Sequence, residues 1–94
     1  MAVTVRLIGS LRASTGKSTF KLKLEKAVSL RKIMTKIVEE EPKLKRVLID
    51  PELDDPRTNA LMLVNGREIS VLQGLDTKLQ DGDELILIPV VHGG

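Results

Sequence analysis

The residues of this chain whose types and spacing bear most directly on chemistry lie in its last stretch, Asp81-Gly82-Asp83-Glu84-Leu85-Ile86-Leu87-Ile88-Pro89-Val90-Val91-His92-Gly93-Gly94. It opens on a turn, continues as an apolar strand and finishes on two glycines. Glycine pairs at loose ends are usually disordered remnants. Here an apolar strand delivers them, with only Pro89 to His92 in between. Pro89 has no amide hydrogen for a sheet ladder, so pairing is expected to weaken or stop near it. Residues 1–94 therefore read as a single domain, with 89–94 a flexible tail. Histidine as a residue type can act as an acid or base near neutral pH, but His92 has no fixed partner in the sequence, and acid–base work is not expected of it.

Other constellations carry less. Gly16-Lys17-Ser18 mimics the end of a phosphate-cradling loop but lacks the two-glycine spacing ahead of it, and no helix pattern follows. Asp50, Glu52, Asp54 and Asp55 invite a calcium reading, yet the glycine and closing glutamate of the known loop are missing. These acids read as a solvated loop, and no metal site is expected. With no cysteine, disulfides, thiolate zinc sites and thiol nucleophiles are excluded. The same fact fits a cytoplasmic location.

Charge gives one further test. The formal net charge is +2, and the pI is near 9.1. Nucleic-acid binding needs more than that: Phe20 is the single aromatic, and no basic block or recognition motif is present. No apolar run is long enough to span a membrane, and the first residues read as a strand rather than a leader. Apolar residues at 41% and charged residues at 30% match an ordinary globular domain.

The elements that must position the tail follow from periodicity. Val3, Val5 and Leu7 alternate with Thr4 and Arg6, and Phe20, Leu22 and Leu24 alternate likewise, predicting two antiparallel strands joined by a hairpin turn over Ser10–Lys17. Ser29 precedes Leu30, Ile33, Met34, Ile37 and Val38, the stripe of an amphipathic helix with a serine cap, ended by Pro42. Leu44 to Ile49 suggests a short helical turn, and Asp50–Asn59 a loop. Ala60–Val64 and Arg67–Val71 flank Asn65-Gly66, the strongest hairpin signal in the chain. Leu75 and Leu79 fall in an irregular segment before the final strand. The expected fold is α+β: a mixed five-stranded sheet with one main helix on one face, the first strand central and parallel to the last, which is a β-grasp arrangement.

In element order, and in Gly82-Asp83-Glu84-Leu85, the apolar strand, Pro89 and Gly93-Gly94 at this spacing, the chain resembles the ubiquitin-like sulfur carriers. These include the small subunit of molybdopterin synthase, the thiamin sulfur carrier and the ubiquitin-related modifier. His92-Gly93-Gly94 is similar to the ending of the ubiquitin-related modifier, and Pro89 to the molybdopterin-synthase subunit. The resemblance implies a protein substrate rather than an enzyme. An E1-like adenylating enzyme would use ATP to activate the Gly94 carboxylate, and a sulfur donor would convert it to a thiocarboxylate. The sulfur would serve molybdenum cofactor (molybdopterin) biosynthesis or a related pathway, such as thiamin synthesis or transfer RNA thiolation. The large subunit of molybdopterin synthase is an implied partner, and no bound cofactor is implied. Gly93 and Gly94, lacking Cβ, could thread a narrow channel, which Pro89, Val91 and His92 would contact.

Partner docking turns on which apolar residues stay outside. One helix covers one face, so apolar residues on both faces mean either full burial or a docking patch. The family register puts Leu85 and Leu87 inward and Ile86 and Ile88 outward. Leu61 and Leu63 join the latter unless a bulge reverses the parity. Two other functions share the sequence: a modifier joined to lysines through Gly94, and a non-covalent β-grasp interaction module.

Overall fold

The computed structural model describes residues 1–48 and 60–90. Chain order is β1 (Ala2–Leu7), α1 (Ser10–Thr15), β2 (Thr19–Lys23), β3 (Val28–Ser29), α2 (Leu30–Glu40), a 3-10 turn at Pro42–Leu44, α3 (Lys45–Leu48), β4 (Ala60–Val64), β5 (Arg67–Glu68), two further 3-10 turns, β6 (Lys78–Leu79) and β7 (Glu84–Pro89). The main sheet runs β2-β1-β7-β4-β5. Strand β1 is antiparallel to β2 and parallel to β7, and β7 is antiparallel to β4. The expected β-grasp sheet is therefore present, with first and last strands at its centre.

Strict alternation builds the core. Val3, Val5 and Leu7 of β1, Leu22 of β2, Ala60, Met62 and Val64 of β4, and Leu85 and Leu87 of β7 are all buried on one face. Helix α2 closes that face with Leu30, Ile33, Met34 and Ile37. Each such burial is worth about 1.5–3 kcal/mol before chain entropy is charged against it. The Ser29 hydroxyl accepts a hydrogen bond from the Lys32 amide at 3.4 Å, capping the helix where the sequence predicts. The helix stops at Glu40, two residues before Pro42.

Three local expectations need correction. Ser10–Lys17 is not a bare turn: Ser10–Thr15 forms a helix with Leu11 wholly buried. Six residues holding one core contact show no 3.6-residue stripe, so periodicity could not reveal it. Only Arg67–Glu68 of the expected Arg67–Val71 strand pairs with β4, and Ile69–Val71 is a 3-10 turn. The segment around Leu75 and Leu79 contains β6, which joins β3 in a second, two-stranded sheet. Just before β6, the Thr77 carbonyl accepts a bond of 2.7 Å from Leu30, the first residue of α2, satisfying a donor that every helix start leaves open. The loop expected at Asp50–Asn59, with its four acids, lies outside the described residues.

Candidate functional site

Strand β7 is held in register at its start, far from the tail. Asp81-Gly82-Asp83 turns with Gly82 at φ 86°. The Ala2 amide donates to Asp81 Oδ1 at 2.7 Å, and the Thr4 amide to the Asp83 carbonyl at 3.0 Å. On the other side Asn65 and Gly66 have φ of 51° and 84°, the doubly positive pattern of the tight hairpin their types predict. The Asn65 side chain donates to Asp83 Oδ1 at 3.0 Å and accepts from the Glu84 amide at 2.9 Å. The Gly-Asp-Glu stretch thus works as a clamp that fixes which residues of β7 face which way. A slip of one residue would exchange its two faces.

That register sends Ile86 and Ile88 to the face α2 does not cover. Across the sheet Leu61 stands beside Ile88 and Leu63 beside Ile86. No bulge reverses the parity. Ile86, Ile88 and Leu63 are half-buried, and Leu61 is 39% exposed. These four form one contiguous group on the open face, so they are not core. Ile8 completes it, a residue that sequence reasoning missed. It follows the Leu7↔Leu87 pair, stands next to Ile88 by continuation of the register, and is 40% exposed. Its position one step past the β1 alternation was the signal that could have found it.

The group lies at the tail's root. Pro89 is the last residue of β7, opposite Ala60, and is half-buried. Val90, which follows it, is 42% exposed. Val91, His92, Gly93 and Gly94 lie outside the described residues. Polar groups border the patch: Arg6 reaches Glu84 at 3.2 Å on one side, and Glu68, on the other, accepts a bond from the Ser70 amide at 2.6 Å. A groove of about 1190 Å³ lies between α2 and the end of β2 and is lined by Leu24, Lys32 and Lys36 among others. It touches Met1 and Asp81, so it is at the opposite end of β1 and β7 from the tail. Among the described residues no group of three metal-ligating side chains occurs, and no helix is long and apolar enough to cross a membrane.

A mixed five-stranded β-grasp sheet, first strand parallel to last and one main helix on one face, is the fold of the ubiquitin-like class. Residues 5–94 match the ThiS family, and the chain belongs to it. That family comprises small ubiquitin-like sulfur carriers, which are not themselves enzymes. A proposed sulfur carrier protein of Archaeoglobus fulgidus is 42% identical over 33 residues, 35% of this chain and 38% of that protein. The chain therefore matches well under half the length of that relative. The small archaeal modifier protein 1 of Methanosarcina acetivorans is similar in structure, with 30% identity, a TM-score of 0.83, and coverage of 99% of this chain and 96% of that one. A chain in the complex of subunits 1 and 2 of the Helicobacter pylori molybdopterin-converting factor is similar at 26% identity and a TM-score of 0.63, with both chains covered in full.

Proposed function

We propose that this protein carries sulfur on its C-terminal residue. The observation that carries the reading is the placement of the open-face group Ile8, Leu61, Leu63, Ile86 and Ile88 at the root of a tail that ends in Gly93-Gly94. A carboxylate is a poor electrophile and needs a leaving group before a nucleophile can displace its oxygen. An E1-like enzyme that grips the open face would draw the tail into a narrow, water-poor site. There a Gly94 carboxylate oxygen attacks the α-phosphorus of ATP and pyrophosphate departs, leaving an acyl-adenylate. A hydrosulfide ion delivered by a donor then adds to the carbonyl, AMP leaves, and Gly94 becomes a thiocarboxylate. ATP belongs to the activating enzyme, and this chain contributes the electrophile and the docking face. Pro89, Val91 and His92 contact the enzyme's channel, and Gly93 supplies the slim backbone that enters its narrowest part.

The likeness to a chain of the molybdopterin-converting factor complex supports molybdopterin synthesis as the destination, with a larger synthase subunit as second partner. The likeness to a small archaeal modifier protein favours one alternative, conjugation of Gly94 to lysines of other proteins. Both require the same first step. The test is ATP–pyrophosphate exchange with the cognate activating enzyme, using the full chain and one lacking Gly93-Gly94. The full chain should support exchange, and the truncated chain should fold normally and support none. Equal exchange by both would refute the carrier and modifier readings together.

A further inference from the structure

We infer that Gly9 is a positioning residue for the tail, acting through Pro89. In the parallel register Leu7 stands beside Leu87, which places Ile8 beside Ile88. The Ile8 amide donates to the Leu87 carbonyl at 3.1 Å. In a parallel ladder the next bond would run from the amide of residue 89 back to the Ile8 carbonyl. Residue 89 is proline and has no such hydrogen. The Ile8 carbonyl instead accepts from the Leu11 amide at 3.3 Å. That bond closes a four-residue turn with Gly9 at its second position.

Gly9 has φ 60° and ψ −128°, the first central position of a type II′ turn, which is open to glycine and strained for other L-residues. The turn swings the chain from β1 into α1, whose Leu11 is fully buried. It also leaves Gly9 lying over the proline ring. A Cβ at Gly9 would sit 3.3 Å from Pro89 Cγ and 3.7 Å from Cδ. Only the nearer distance is shorter than ordinary van der Waals contact, so with a side chain at residue 9 the ring must give way by a few tenths of an ångström.

The two halves of this joint depend on each other. Proline at 89 ends the ladder and frees the Ile8 carbonyl, the freed carbonyl closes the turn, and the turn needs a glycine, whose bare Cα leaves room for the ring. Together they set where the chain leaves the sheet and in which direction Pro89 points. The reacting atom lies five residues farther on, so the joint sets the point and direction from which the chain departs toward Gly94. Misplacement of a reacting group by about 1 Å can cost about a hundredfold in rate.

This inference rests on the carrier reading, and a double-mutant cycle tests it. Gly9→Ala, Pro89→Ala and the pair are compared with the native chain in ATP–pyrophosphate exchange, with thermal melts alongside. Pro89→Ala deletes the two ring atoms that a Cβ at residue 9 would meet, but does nothing for the strain that the positive φ imposes on an alanine there. Gly9→Ala should therefore lower kcat at least about tenfold, with KM, set by the open face, within about twofold. In the Pro89→Ala background the same change should lower kcat less than about twofold, while the part of its melting-temperature loss that comes from the positive φ remains. Pro89→Ala alone should lower kcat about threefold or more; should Gly9→Ala not fold, Gly9→Asn, a type that tolerates a positive φ in such turns but carries the same Cβ, takes its place in the cycle with the same expected outcomes. A Gly9→Ala defect that follows stability and persists in the Pro89→Ala background would overturn the inference, as would an unchanged kcat in Pro89→Ala. Failure of the native chain to support exchange at all would refute the carrier reading instead.

Discussion

Adjacent residues of β7 offer a sharp test of the docking face, because Leu87 and Ile88 point in opposite directions from the same backbone. Leu87 is wholly buried, between Leu7 on β1 and Met62 on β4. Leu87→Asp removes packing worth about 2–5 kcal/mol and places a carboxyl where it has no partner, a further cost of about 1–3 kcal/mol. Against a total stability of about 5–15 kcal/mol, that variant should be unfolded or nearly so. Ile88 lies across from Leu61 on the open face, where an apolar cross-strand pair contributes about 0.2–1 kcal/mol. A carboxylate there keeps its water, so Ile88→Asp should cost at most about 1 kcal/mol, or about 4–8 °C in Tm. In the complex the same carboxylate would enter a dry contact. Binding of the activating enzyme should weaken at least about tenfold, about 1.4 kcal/mol. Calorimetric titration beside thermal melts gives both numbers. Binding within about twofold of native by a folded Ile88→Asp protein would show that the partner grips another surface. A Tm loss as large as that of Leu87→Asp would show that Ile88 belongs to the core.

The body of the domain makes two further predictions. Ile33→Ala or Ile37→Ala, each at a fully buried position of α2, should cost about 2–5 kcal/mol in chemical denaturation, whereas exposed Lys36→Ala should stay within about 0.5 kcal/mol; equal effects would mean the helix packs by another face. Asn65→Ala should cost about 1–3 kcal/mol, because it strains the positive φ and removes the bonds to Asp83 and Glu84, and Asn65→Gly should cost less; no difference between the two would show that the turn's φ is not limiting.

Much of this was legible in the sequence because alternation and helical spacing are repeated signals. Val3-Val5-Leu7 and Leu85-Leu87 each state their inner face more than once, and Leu30, Ile33, Met34 and Ile37 do so for the helix. Asn65-Gly66 named its turn because few residue types tolerate two positive φ angles in a row. What escaped has the opposite character. Helix α1 is anchored by one residue, Leu11, and the β3–β6 pair is only two residues long; neither is long enough to show a period. Ile8 sits past the end of β1, and its exposure depends on its neighbour in β7. The Gly9–Pro89 contact joins residues eighty positions apart in the chain, and no local pattern encodes it. The motif Gly82-Asp83-Glu84 was legible as part of a resemblance. Its physical task as a register clamp emerged only once Ala2, Thr4 and Asn65 were seen to bind it.

The central claim concerns one atom, and mass spectrometry can weigh it. Cleavage after Lys78 yields the peptide Leu79–Gly94, which contains no methionine, so methionine oxidation cannot imitate the mass change from oxygen to sulfur. Protein purified from its own cells under conditions that preserve thioacids should contain a fraction of this peptide with one oxygen replaced by sulfur, and fragmentation should place the change at Gly94. A peptide carrying only oxygen at Gly94, from cells in which the activating enzyme and sulfur donor are active and the sulfur acceptor is withheld, would contradict the account.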